Sequence, residues 1–187
     1  NIYAAGYLTY GKAFVAKLDS NGYLEWQRNF VYNTGSTNIY NSCNSIDIDD
    51  SGNVYATGFF YGTTTFSYSP LVQLTAVGSL DAYIAKLNSN GILQWVKQVG
   101  DSQDELANSI AVDKAGNIYT TGRFRETVDF NPDPLDTFFL SSYGTGVWDD
   151  DIYFLKLNNS GNFIWAKSFY GAHPFWSQPN LVLNDSA

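Results

Sequence analysis

Apolar residues in this chain fall in short runs rather than at helical spacing. "AYIAKL" at 82–87 and "IYFLKL" at 152–157 are typical, rich in aromatic and aliphatic side chains and followed by Asn, Ser and Gly. No long stretch places apolar residues at i, i+3, i+4 and i+7, so the pattern predicts strands and turns. No run approaches the roughly 18 apolar residues that a membrane-spanning helix requires.

The runs repeat. Asn1, Asn53 and Asn117 are each followed five residues later by a glycine, Gly6, Gly58 and Gly122. "VAKLDSNGYLEW" returns as "IAKLNSNGILQW" and "FLKLNNSGNFIW", with Lys17, Lys86 and Lys156 nine residues ahead of Trp26, Trp95 and Trp165. "NSIDIDDSG" returns as "NSIAVDKAG" and, more loosely, as "PNLVLNDSA". Self-similarity over nearly the whole chain marks a repeat architecture. Each unit contains four strand-like runs, a to d, which in the second unit are Ser45–Asp49, Asn53–Phe60, Asp81–Leu87 and Ile92–Val99. Between a and b, Asp49, Asp113 or Asn184 can accept a backbone N–H two residues on, while a following Gly takes the positive φ. The c–d turns, "DSNG", "NSNG" and "NNSG", are further tight hairpins.

The strands are apolar on both faces, so each four-stranded antiparallel sheet needs a neighbour on either side. Strand a carries small residues such as Ser45, Ser109 and Ala111, whereas strand d carries a Trp each time. Small inside and large outside suits sheets that radiate from an axis. The expected fold is all-β, a β-propeller with one repeat per blade. Residues 1–30 supply strands b–d of a first blade, 44–99 a second, 108–169 a third and 180–184 the first strand of the next. Propellers generally take four to eight blades. The remaining blades are therefore expected from the same longer chain or from self-association.

Composition adjusts this picture little. With 187 residues and 44% hydrophobic content, the chain can bury a sizeable core. A formal charge of −8 argues against nucleic acid as a partner, because phosphate binding draws on clustered Lys and Arg. Cys43 is the single cysteine and His173 the single histidine, which excludes an internal disulfide and a His cluster for a transition metal.

The combined phrases "D-x-x-G-N-[IV]-Y-x-[TA]-G" and "[AI]-[FY]-[IVF]-[AL]-K-L-[ND]-x-x-G", with the Trp strand after them, resemble the bacterial SBBP repeat, whose name refers to a seven-bladed β-propeller. The wording of 122–169 is most similar to versions in secreted, cell-surface proteins of Bacteroidota. The resemblance implies a propeller in an extracellular or cell-surface setting and names no ligand. The chain departs from the pattern at Lys12, where the other units have Asp81 and Asp151.

Repeated residues are explained by blade construction, so function is sought in the parts that do not repeat. The a–b and c–d turns are short and constant, whereas b–c connections vary: Gly-to-Lys distances are 11, 28 and 34 residues. Successive antiparallel strands put all this variation on one face of the disc, where loops bind without disturbing packing. The candidate ligand-binding residues there are Tyr40, Trp148, His173 and Trp176, aromatics suited to stacking on a sugar ring or anchoring a protein. Equally, they could cover the rims of neighbouring blades. "DFNPDPLD" sets Asp129, Asn131 and Asp133 at alternate positions with Asp136 nearby, an oxygen spacing that suits calcium; ordinary Asx-Pro turns are the plainer reading. Catalytic signals are thin. Cys43 aligns with Ala107 and reads as a buried small side chain, and Asp149–Asp150 is a poor pair for glycoside cleavage. The expectation is a non-catalytic propeller that binds protein or glycan through its variable face. The alternatives are a polysaccharide hydrolase or lyase and an architectural spacer.

Overall fold

The computed structural model describes residues 1–9, 11–32, 41–143, 150–170 and 179–183. It is all-β, and every paired strand is antiparallel to its neighbour. The first blade comprises β1 (Ile2–Leu8), β2 (Lys12–Leu18) and β3 (Leu24–Tyr32). The second comprises β4 (Ser42–Ile48), β5 (Val54–Tyr68), β6 (Leu71–Leu87) and β7 (Leu93–Val99). The third comprises β8 (Leu106–Val112), β9 (Ile118–Phe124), β12 (Asp151–Leu157) and β13 (Phe163–Phe169), with a small hairpin, β10 (Thr127–Asp129) and β11 (Phe139–Ser141), set into its b–c connection. The sheets do not close into a ring.

The turns are built as their composition predicts. Asp49 Oδ1 accepts the N–H groups of Ser51 and Asn53, and Gly52 has φ 76°. Asn88 Oδ1 does the same for Asn90 and Ile92, with Gly91 at φ 72°. The glycines that close each Asn-x4-Gly phrase have a different cause. A Cβ on Gly58 would lie 1.9 Å from Ser42 O, and one on Gly122 would lie 1.9 Å from Leu106 O. At both places strand a bulges against strand b, between Cys43 and Ser45 and between Ala107 and Ser109. Only a residue without a side chain admits that bulge.

Two hydrophobic clusters fill the two seams between the three blades, and the second blade serves both. Ala82 and Ile84 of β6 join the cluster shared with the third blade, while Tyr83, Ala85 and Leu87 join that shared with the first. This is why its strands are apolar on both faces. Polar contacts repeat across the seams. Trp26 Nε1 donates to Ser89 O (3.1 Å) and Trp95 Nε1 to Asn159 O (3.3 Å), so each outer Trp reaches the c–d turn of the following blade. Nearer the axis, Ile110 N donates to Ser45 Oγ (3.3 Å). Leu181 N repeats that bond to Ser109 Oγ at 3.0 Å. Leu181 thus occupies the strand-a place of a next blade, although 179–183 carry no assigned strand.

Two expectations change. The Trp residues lie on the outermost strands as predicted but are half-buried; Trp26 and Trp95 pack at the edge of the seam clusters and donate to the c–d turn of the following blade. The stretch 59–80, one of the connections expected to vary, continues β5 and β6 into a long ribbon. Thr64 and Thr65 of this ribbon pair with Tyr32 and Val31 of β3, joining the first two blades in one seven-stranded sheet.

The variable connections also share a fixed root. Phe66 packs on Phe60 (5.6 Å) and Tyr83 (5.1 Å), and Phe130 packs on Phe124 (5.1 Å) and Tyr153 (4.9 Å). The spacing is the same, Gly-x-Phe followed six residues later by Phe, in both blades. The connections diverge only beyond that second Phe.

Candidate functional site

The variable face of the third blade and its seam with the second gathers side chains that occur once. Tyr143 follows β11 and Tyr170 follows β13. Their rings meet edge to face with centroids 4.5 Å apart. They are 76% and 73% exposed, so the contact leaves most of both rings free. Asp151 positions the first of them by accepting Tyr143 N at 3.1 Å. The equivalent Asp81 accepts Val77 N and Gly78 N, so both aspartates hold the returning b–c connection and are structural.

The b–c end of the same blade also carries an ionic group. Arg125 donates to Asp150 Oδ1 through Nε (2.8 Å) and Nη2 (2.6 Å), and Arg123 lies 3.4 Å from Asp150 Oδ2. Asp150 is 5% exposed, so the charge it carries is spent on two arginines. Behind it, the connection 100–105 runs across the seam. Glu105 and Asp81 are both fully buried. Burial pushes the Glu105 carboxyl up to about 8, with Asp81 and Asp101 adding repulsion, and burial also raises Asp81.

The calcium candidates behave as turn residues. Asp129 Oδ1 accepts Asn131 N (2.9 Å) and Phe138 N (2.8 Å), Asn131 Oδ1 accepts Asp133 N, and Asp133 Oδ1 accepts Leu135 N. Asp136 Oδ1 accepts Thr137 N. Each thus has an oxygen committed to the backbone one, two or nine residues on. Among the described residues no three Asp, Glu, His or Cys side chains are grouped to hold a metal. Cys43 is 3% exposed and burial pushes its thiol up to about 12, which keeps it a small core side chain rather than a nucleophile.

Tyr40, Trp148, His173 and Trp176 lie outside the described residues, as does Asp149. Tyr143 and Tyr170 stand in the phrases "SSYGTGVWDDD" and "FYGAHPFW", bordering in sequence two of the segments that carry those candidates. Sequence reasoning passed over them for the larger Trp residues; their signal was position, directly after a strand on the variable side.

This architecture, with small inner strands, Trp-bearing outer strands and blades latched by repeated contacts, defines a repeat protein of the β-propeller type. A model of the SBBP β-propeller repeat matches residues 94–123, which run from strand d of the second blade through strands a and b of the third. An uncharacterized WD repeat-containing protein of Acanthamoeba polyphaga mimivirus is similar as well. It is 26% identical over 135 residues, covering 65% of this chain and 9% of that protein.

Proposed function

We propose that this chain is a non-catalytic, extracellular or cell-surface propeller module that binds protein or glycan through its variable face. The observation that carries the reading is the Tyr143–Tyr170 pair. Two exposed rings in edge contact, held by Asp151 and β13 on a rigid sheet, give a preorganised aromatic surface with hydroxyl groups. The Arg123–Asp150–Arg125 group, at the b–c end of the same blade, offers polar contacts on that face. A hydrolytic reading finds less support, because the acids with raised carboxyl groups, Asp81 and Glu105, are enclosed and cannot touch a substrate. The test is a glycan array together with a pull-down against surface proteins, using wild type and Tyr143→Ala/Tyr170→Ala. Binding lost in the double variant with an unchanged melting curve supports the face. Binding that persists moves the site elsewhere.

A further inference from the structure

The second and third blades use the same positions, so the second is an internal reference for the third. Asn41 and Glu105 correspond, each two residues before Cys43 and Ala107. In the second blade this position is fully satisfied. Asn41 Nδ2 donates to Thr64 Oγ1 (3.0 Å), and Asn41 Oδ1 accepts Tyr61 N (3.0 Å). Nearby, Tyr83 Oη donates to Ser42 O at 3.1 Å.

In the third blade the backbone half of this arrangement survives and the donor half does not. Glu105 accepts Asp101 N at 2.8 Å on Oε2 and also receives the backbone N–H of Arg125, the counterpart of Tyr61. Its Oε1 is buried without a partner. Where the second blade has Thr64 the third has Val128, which offers no acceptor or donor. Tyr153 Oη, counterpart of Tyr83, is buried and unpartnered too, and the adjacent Thr120 hydroxyl is donated to Ser109 O. A charge on Glu105 would act on this tyrosine.

Among the described residues, the ionisable side chains that act on Glu105 supply no cation. Asp81 acts on it from β6, Asp101 from its own connection and Tyr153 from β12. Arg125 gives it a backbone N–H while its guanidinium is bonded to Asp150, and Glu126 is bonded to Gln103. The surrounding backbone is tight. A Cβ on Gly78 would lie 2.2 Å from Gln103 O, and one on Gly100 would lie 2.2 Å from the Asp81 carboxyl. Glu105 N donates to Leu80 O (2.8 Å) and Leu80 N to Asp104 Oδ1 (3.2 Å), fastening the connection to β6.

We infer that Glu105, standing where Asn41 stands one blade earlier, is a neutral carboxylic acid in the closed seam and ionises when the connection 100–105 lifts from the variable face. A fully buried carboxylate with one unpartnered oxygen and other carboxyl groups for neighbours is strongly disfavoured relative to its neutral acid. The position is thus a proton-coupled latch, found once among the described residues.

Linkage fixes the sign. The closed state holds a proton up to about pH 8, while the opened, hydrated carboxyl releases it near the ordinary value of 4.5. Opening therefore becomes about tenfold easier per pH unit between these limits and levels off above the upper one. Amide hydrogen exchange at 101–105, corrected for intrinsic rates, should show that slope in wild type and a flat profile in Glu105→Gln. Infrared difference spectra should show a protonated carboxyl band that persists to about pH 8 and is absent from the variant. An identical slope in Glu105→Gln, or a wild-type carboxyl already ionised at pH 6, overturns the inference. Should the variant fail to fold, ¹³C-glutamate labelling of the wild type reads the same band and decides alone.

Discussion

The indole N–H of Trp95 is bonded to the backbone carbonyl of Asn159 at 3.3 Å, across the seam from the second blade to the third. Asn159 Oδ1 also receives the Lys86 ammonium and lies 3.1 Å from Tyr55 Oη, whose proton goes to Asp49, so three strands of one blade converge on a single turn residue of the next. Trp95→Ala is expected to cost about 2–3 kcal/mol, below the roughly 3–5 of a fully enclosed aromatic, because the ring is half-buried. Trp95→Phe should cost about 1 kcal/mol for the lost hydrogen bond. Trp165→Ala should cost less than Trp95→Ala, since among the described residues no carbonyl receives its N–H. Urea denaturation of the three variants checks the order, and equal losses at both Trp positions would contradict the latch.

The glycines of the c–d turns separate backbone strain from seam packing. Gly22 and Gly91 have φ values of 84° and 72°, so an alanine at either is strained by about 1 kcal/mol. A Cβ on Gly22 would meet nothing within 4 Å, whereas one on Gly91 would lie 2.7 Å from the Trp26 indole. Gly91→Ala should therefore be the more destabilising by at least about 1 kcal/mol. Trp26→Ala should remove most of the excess. A double-mutant cycle read by thermal melting measures it directly.

The a–b turns carry an acid-sensitive term. Burial works against the charge on Asp49, but bonds from the Asn53 side chain and backbone, Tyr55 Oη and Ser51 N outweigh it and hold the carboxyl below its ordinary 3.8. A depressed carboxyl contributes stability above the ordinary value and loses it as pH falls through the folded one. Asp49→Asn keeps one acceptor but sets an amide donor against Asn53 Nδ2, so it should cost about 1 kcal/mol at pH 7. The difference from wild type should shrink as pH falls below 3.8, and a constant offset down to pH 2 would exclude the electrostatic cause.

Blade construction was legible in the sequence because it rests on short-range chemistry repeated three times. The Asx residue, the Gly at positive φ and the two-sided apolar strands each act within a few residues, and repetition separates them from chance. The ribbon of β5 and β6 was not legible, because "YGTTTF" and "VQLTAVG" occur once, and the first of them pairs through Thr64 and Thr65 with β3, more than 30 residues away. The root formed by Phe66 and Phe130 was present in the spacing but hidden by the unequal lengths of the connections beyond it. Glu105 was hidden for another reason. Its significance lies in the absence of a donor at the place of Asn41, and only the packed seam reveals which groups then lack partners.

The turn at 129–138 sets two uses of the same oxygens against each other. Asp129 Oδ1 accepts two backbone N–H groups that close the β10–β11 hairpin, and this hairpin holds Phe130 in the core at 0% exposure. Asp129→Ala should therefore destabilise the third blade by about 2 kcal/mol, one increment for each amide left without its acceptor. Asp129→Asn keeps an acceptor oxygen and should retain most of that stability, because the turn needs the oxygen rather than the charge. Calcium makes the opposite demand, since it needs the carboxylate charge and would stabilise by RT ln(1 + [L]/Kd). Melting curves of wild type and Asp129→Asn in EDTA and in millimolar calcium separate the two. Coincident curves in both media, with Asn close to wild type, are the outcome the hydrogen bonds predict. A calcium-dependent rise confined to the wild type would instead assign the ion to Asp129, Asn131, Asp133 and Asp136.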